Sequence, residues 1–396
     1  MQQPEPELTL TQDDIRADLH ELVLGAIRTT LETVMEQAVN LIVGARPHER
    51  TETRRDVRNG SYSRRLTTTS GEVELEVPRT RTRGAATAVI GRYKRRAPEL
   101  DAAITEAYVG GVSTRKMAGI TQALIGANVS RSTVSRVTAR LEERVDALRR
   151  EPLTEPMPYL FLDATFLDAR WARAVENVSI LVAYGVGPDG KRRLLAVTIG
   201  AQESEDSWAD LLRQLVDRGL HGVRLVISDA HAGLKNAVRL LLPEVAHQRC
   251  TVHLTRNVMA KAPTRLRARV AHEAVRILHA PSEAEAKKRL AEFEKGLGQQ
   301  VPESARCLHH GFDAATRYFD FPREHWRRIR STNGLERLHG EIKRRIKSIG
   351  AFPDRASALR LVTTVALQVT AIWSDRRYLD VTQHVDTTAS HAEPAA

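Results

Sequence analysis

The stretch LFLDATF, residues 160–166, decides how this chain is read. It is an apolar run broken by one acid, Asp163, and it reads as a buried strand. An ionised carboxylate alone in such a strand is costly, so it has to be paired, hydrogen-bonded or bound to a metal. A satisfied structural Asp at a strand end is the plain alternative. The sequence around it has to decide between them.

Downstream the pattern is α/β. Strands are expected over 159–167, 177–186 and 192–200, the last two joined by the turn GPDG as an antiparallel hairpin. SEDSWADLLRQLVDRG (204–219) is an amphipathic helix capped near Ser204, and GVRLVISDAHAG (222–233) is a strand ending in Asp229. LKNAVRLLLP is a helix, and AHQRCTVHL is a short strand running into another helix. Three consecutive strands, a helix and then a parallel strand is the order of a ribonuclease-H-like core. Residues 261–330 read as a helical insertion, and a basic helix over about 333–347 carries Glu336.

Asp229 alone could cap the next helix, and Glu336 alone could form a capping-box-like pair with Asn333. Together with Asp163 they fit the ribonuclease-H-like layout: one acid on the first strand, one at the end of the fourth, one on a late helix that crosses beside them. Three carboxylates on one point suit a hard divalent cation, Mg²⁺ or Mn²⁺, which keeps its other positions for water and phosphate. Two such ions roughly 3.5–4 Å apart serve both the attacking and the leaving oxygen of a phosphodiester. Along the same helix Leu335, Leu338, Ile342, Ile346 and Ile349 form an apolar stripe. Glu336, His339, Lys343 and Lys347 form the stripe beside it, suited to a helix lying along a phosphate backbone. Glu341 points elsewhere, and with Asp168 it serves as a decoy acid.

The remainder of the 396 residues supports a polyanionic partner. The formal net charge is +11, from 60 Lys and Arg against 49 Asp and Glu, and arginine carries most of it. Cys250 and Cys307 are the only cysteines, which argues against a disulfide scaffold and fits a reducing cytosol. No signal segment is expected at the start, and no apolar run of the about 18 residues that a membrane span needs. Helices are expected over 1–45, starting near Thr11. An Arg-rich region with short strands, turning near Ser70-Gly71, is expected over 46–98. There Arg79, Arg81 and Arg83 would share a face and touch phosphates, or simply form a solvated basic loop. Residues 99–150 read as helix-turn-helix-like, with Ile120, Leu124, Val129, Val134, Val137 and Leu141 packing the two helices. Arg131, Ser132, Thr133 and Arg136 then face DNA. EPLTEPMP (151–158) reads as a linker and boundary, followed by a catalytic core over 155–260 and 331–380 and a disordered tail over 381–396.

Five stretches then carry a family resemblance, in order along the chain. They are RNGSYSRRLTTTSGEVELEVPRTR, LFLDATFLDAR, LVISDAHAGLKNAV, QRCTVHLTRNV and YFDFPREHWRRIRSTNGLE. The chain resembles the Mutator-type bacterial insertion-sequence transposases. The resemblance implies a DDE nuclease domain whose triad falls on Asp163, Asp229 and Glu336, and it maps the family's Cys-x-x-His element onto Cys250 and His253. One departure is Asp168, where many members carry a basic residue. Cys250 and His253 are expected to pack and hydrogen-bond. Half a zinc site, completed by Cys307 with His309 or His310, is the alternative. Trp326, between arginines, could stack on an unpaired base or pack in the core. The expected protein is a cytoplasmic, nucleoid-associated DNA transposase. It would bind the terminal inverted repeats of its element, cut and join DNA with two Mg²⁺ or Mn²⁺ ions, and act as a homodimer on double-stranded DNA. The rivals are a structure-selective nuclease of the same fold that does not join, and a non-enzymatic DNA-binding regulator.

Overall fold

The computed structural model of the chain describes residues 12–81, 89, 95–171, 174–200, 202–373 and 375–381. The chain divides into two compact units, Met1–Thr138 and Ala139–Ala396.

The first unit opens with one long helix, α1 (Gln12–Val43), and Thr11, its expected cap, lies outside the described residues. An antiparallel hairpin follows, β1 (Arg58–Thr68) and β2 (Gly71–Thr80), closing at the pair Thr68 and Gly71. The turn falls where expected, and Gly71 takes φ 138°, a value side chains resist. The alternation in β2 is complete: Val73, Leu75 and Val77 pack on Met35 of α1, while Glu72, Glu74 and Glu76 face outward. β2 ends at Thr80, with Arg79 and Arg81 exposed; Arg83 lies outside the described residues.

Three helices complete this unit: α2 (Pro98–Val109), α3 (Thr114–Ile125) and α4 (Arg131–Thr138). Gly126 ends α3 at φ 63°, and the Ser130 hydroxyl accepts the Thr133 N–H at 3.2 Å to start α4. Val129, Val134, Val137 and Leu141 are buried as expected, but Ile120 and Leu124 are 37% and 75% exposed. The inward face of α3 is Met117, Thr121 and Ile125 instead. Thr121 is buried because its hydroxyl accepts the Val129 N–H at 3.2 Å, so it competes successfully with the more apolar stripe.

The second unit is mixed α/β. After α5 (Glu142–Arg150) come β3 (Tyr159–Trp171), β4 (Ala174–Val186), β5 (Arg192–Gly200), α6 (Glu205–Asp217), β6 (Leu225–Ser228), α7 (Ala232–Leu241) and β7 (Ala246–Arg249). The sheet order is β5-β4-β3-β6-β7, antiparallel across the first three strands and parallel from β3 through β7. Leu160 and Leu162 of β3 meet Trp208, Leu212 and Leu234 of α6 and α7 on one face. On the other, Phe161 stacks on Tyr184 at 4.4 Å, and α14 (Asn333–Ile346) and α15 (Arg355–Thr370) pack over it. A strand covered on both faces reads as a near-continuous apolar run, as β3 does.

Residues 151–158 do not form a free linker. The Leu153 and Met157 N–H groups donate to Arg218 and His221 carbonyls at 2.8 and 2.9 Å, and both side chains are buried. The unit boundary lies earlier, and α5 packs on α15 with Glu142 paired to Arg360 at 3.1 Å. Between β7 and α14 run α8 (Thr251–Ala260), α9 (Arg267–Leu278), α10 (Glu283–Lys295), α11 (Leu297–Gln300), α12 (Pro302–Ala315) and α13 (Trp326–Ile329). The first five build a helical core around Leu254, Val258, Ile277, Phe293, Leu308 and Phe312. Buried Gln248 fastens it to the sheet, donating to the Ala315 carbonyl and accepting the Tyr318 N–H, both at 2.8 Å. By length and composition alone Arg355–Trp373 is apolar enough to cross a membrane, at mean hydropathy 1.3, although Arg360 and Gln368 interrupt its apolar run. Here 56% of it is buried against the sheet and α5, as in a core helix.

Candidate active site

Asp163 and Asp229 are level with each other by strand register. Phe161 pairs with Ile227 in the parallel β3–β6 ladder, and each acid lies two residues further on. Asp163 is 8% exposed on the α14 side of β3, with His339 Nδ1 at 3.4 Å from its carboxylate. One oxygen of Asp229 accepts the His231 N–H at 3.0 Å, so it shapes the start of α7 as well as facing the site. Glu336 is one turn before His339 on α14, on the same side of the helix. Thr332 stands at the N-cap of α14 and its side chain makes no capping bond to the helix, so Glu336 has no capping-box role.

Glu336 does not complete a cluster of bare carboxylates. Arg256 of α8 grips it with two bonds of 2.6 and 3.0 Å, and His253 Nε2 is 3.6 Å away. Among the described residues no three acids, histidines or cysteines stand close enough to hold a metal ion as placed. Cations stand where three converging carboxylates were expected: Arg256 holds Glu336, and His253 lies beside it. His253 feels Asp163 and Asp229 and sits beside Glu336. Its contact with Cys250 raises it to about 9 against opposing burial, with the charges of Cys250, Asp163 and Asp229 adding to the effect.

Cys250 is fully buried. Burial pushes its thiol up, but His253 and Thr332 outweigh this and bring it below its ordinary value. Its backbone N–H donates to the Ser228 carbonyl at 2.6 Å, and its sulfur accepts the Thr332 N–H and hydroxyl at 3.4 and 3.5 Å. Cys250 thus ties the strand bearing Asp229 to the helix bearing Glu336. The packing expectation describes it better than zinc. His309 bonds Glu294 at 2.7 Å, and His310 donates to the Arg306 carbonyl of its own helix at 2.7 Å.

A fourth acid, Glu203, was not anticipated. It follows β5, accepts the Trp208 Nε1–H at 3.3 Å and lies 3.7 Å from His231 Nδ1. Burial first, then the charge of Asp229, raises its pKa. In sequence it looks like an ordinary acid before the helix cap Ser204, and only the fold brings it to Asp229.

The other expected residues are placed as follows. Glu341 is occupied by Arg344 and Arg345, whose bonds hold it down to about 2. Asp168 accepts the Asn177 amide at 3.0 Å. Lys343 and Lys347 are exposed further along α14 and after its end. Arg131, Ser132 and Arg136 are exposed on α4, and Thr133 is half-buried. Trp326 is half-buried, edge-on to Phe319 at 4.8 Å, and its Nε1–H donates to the Phe321 carbonyl at 2.7 Å. That is a packed tryptophan with its polar atom used, the core-packing reading of the two rather than base stacking.

The chain is thus a mixed α/β protein with Asp163 and Asp229 level on its central sheet and Glu336 on the basic helix packed over it. It matches the family described as Transposase, Mutator family, over residues 1–376, and it belongs to that family. It is 37% identical over 356 residues to the transposase for insertion sequence element ISRM5 of Rhizobium meliloti, covering 90% of this chain and 89% of that one. It is 37% identical over 362 residues to the transposase for insertion sequence element IS256 in transposon Tn4001 of Staphylococcus aureus, covering 89% and 92%. The transposase for insertion sequence element IS1081 of Mycobacterium tuberculosis is 34% identical over 380 residues, covering 93% and 90%. In a simian T-cell lymphotropic virus intasome bound to the PP2A regulatory subunit B56 gamma, a chain aligns over 43% of this chain and 70% of its own. Its 13% identity and TM-score of 0.17 are too low to bear on the fold. As a transposase the protein belongs to an enzyme class that cuts and joins DNA.

Proposed function

We propose that this transposase moves an insertion sequence. It binds the element's terminal inverted repeats, cuts at their ends and joins the freed 3′-hydroxyls to target DNA, with Asp163, Asp229 and Glu336 as its catalytic acids. The relatives' names support the substrate. The observation that carries the chemistry is that His253 lies 3.6 Å from Glu336 and within electrostatic reach of Asp163 and Asp229, which strand register sets level with each other. The sheet order, three antiparallel strands followed by two parallel ones, supports a ribonuclease-H-like core over 155–260 and 331–380.

The donor set fits Mg²⁺ or Mn²⁺, because a buried carboxylate such as Asp163 calls for a cationic partner and oxygen donors suit hard ions. Asp163, Asp229 and Glu336 would hold two ions, Glu336 exchanging its bond to Arg256. When bound, such ions activate the attacking oxygen and stabilise the leaving one. His253, charged at neutral pH, keeps the acids from repelling one another until then. Arg79, Arg81, Arg131, Ser132, Thr133 and Arg136 contact the repeats, and Lys343 and Lys347 hold backbone phosphates beside the acids. Two ends must meet, so the DNA-bound form is a homodimer. Nicking of a labelled terminal-repeat duplex tests the assignment. Asp163→Asn, Asp229→Asn and Glu336→Gln should each abolish it, while Asp168→Asn and Glu341→Gln keep most activity. Nicking retained in any one of the three removes that acid from the site.

A further inference from the structure

Beside the first turns of α14 and the start of α8 lies a cavity of about 520 Å³. Arg192, Arg327, Arg328, Arg330, Arg337 and Arg376 line it, and no Asp or Glu does. None of these six arginines has an ion pair among the described residues; a seventh, Arg377, is held by Asp380 at 2.6 Å. Like charges gathered this way repel, and the arrangement is relieved by an anion. Guanidinium forks match phosphate oxygens. Arg192 adds a second sign: its Nε is buried with no hydrogen-bond partner.

The cavity walls also say what part of a nucleotide is held. Trp373 and Tyr378 are the aromatic walls, and the Arg192 guanidinium already lies over both, at 4.2 and 4.6 Å from the ring centres. Arg328 lies over Tyr378 at 4.9 Å. The rings therefore brace arginines, which leaves charge for phosphates and little ring surface for a base. Asn333, Gly334 and Arg337 line the cavity and flank Glu336 in the first turns of α14. A strand running past Glu336 reaches the cavity within a few residues' length of helix.

We propose that this arginine-lined cavity seats consecutive backbone phosphates of one DNA strand next to the point of cutting. The proposal rests on the reading of Glu336 as a catalytic acid only for its position along the strand. Its test is a binding measurement that needs no catalysis.

The test compares two variants of the full chain that lose the same charge. Arg328→Gln/Arg337→Gln/Arg376→Gln strips exposed cavity arginines; Arg239→Gln/Arg265→Gln/Arg269→Gln strips exposed arginines of α7 and the region before and in α9. Binding of a labelled oligothymidylate is followed by fluorescence anisotropy across salt concentrations. The cavity variant should lose on the order of tenfold in affinity, and its log–log salt slope should flatten by about 2, three contacts at ~0.7 each on a single strand. The control variant should keep its slope. Equal loss in both variants would assign binding to diffuse charge, and no loss in the cavity variant would empty the site of DNA. Displacement of the oligothymidylate by equimolar inorganic pyrophosphate would give the cavity to a free polyphosphate instead. Any of these three results overturns the proposal. Unchanged melting temperatures in both variants, expected for exposed side chains, show that folding is not what is being read.

Discussion

Asp163 is accommodated in a buried strand because His339 Nδ1 lies 3.4 Å from its carboxylate and the cationic His253 stands within electrostatic reach. Glu336 is likewise compensated by Arg256. Removing charge at Glu336 therefore leaves Arg256 without its partner. Because Arg256 is more than half exposed, that loss should cost no more than about 1 kcal/mol. Two other histidines give the folded protein a pH dependence. Burial, helped by Lys235 and Arg249, brings His247 down to about 4; burial and Arg330 bring His279 down to about 4. In the unfolded chain both titrate near 6.5. Between those values the unfolded chain binds more protons, so their contribution is complete above about 6.5 and drains away as the pH falls towards 4. The melting temperature should therefore decline from about pH 6.5 to 5, before most carboxylates titrate. His247→Gln, which can still bond the Ser228 hydroxyl that His247 contacts at 2.7 Å, should flatten that decline. A decline of the same steepness in both His247→Gln and His279→Gln would mean that other groups cause it.

At the scale of elements, Trp326 shows how neighbours mislead. Arginines around it left base stacking as open as core packing, and Phe319, seven residues earlier, returns to pack against it. Trp326→Ala should cost about 2–3 kcal/mol, less than a fully buried tryptophan, and lower the melting temperature by roughly 5–10 °C. Trp326→Phe should keep part of the packing and lose the bond to Phe321. Cleavage per folded molecule should be intact in both. A variant that melts normally but no longer cuts would return Trp326 to the DNA. The hairpin β1–β2, strands β3 to β5 and the capped helix α6 were legible because period-two alternation, turn residues and Ser204 agree with one another. The stretch 151–158 was not, because prolines mark a break in regular structure and say nothing about docking through the intervening N–H groups. α3 was half legible: its two apolar stripes are one residue apart, and the hydroxyl of Thr121 chose between them. The acids were placed on the right elements, whereas Arg256 and Glu203 beside them are tertiary neighbours with no local pattern to announce them.

At the scale of the whole molecule, the division at Thr138 puts the helix-turn-helix-like pair in one unit and the acids in the other. Recognition and chemistry should therefore separate by mutation in the full chain. Arg131 and Arg136 are exposed on α4, one turn and a half apart, behind a start fixed by Ser130. Arg131→Ala and Arg136→Ala should weaken binding to a terminal-repeat duplex. An arginine on a base edge should cost about 1–3 kcal/mol and relax the sequence preference at one position. An arginine on a phosphate should weaken all sequences alike and flatten the salt slope by about 1. Neither change touches the second unit's core, so nicking at saturating protein should survive. Glu336→Gln should behave in the opposite way, with binding kept and nicking lost. Ca²⁺ in place of Mg²⁺ should resemble Glu336→Gln, since its larger, looser shell places the attacking oxygen poorly. The measurement is a set of salt titrations by anisotropy on the same duplex used for nicking. If Arg131→Ala and Arg136→Ala both bind as the unaltered protein does, α3 and α4 are a plain helical hairpin, and recognition has to be sought elsewhere, first at Arg79 and Arg81.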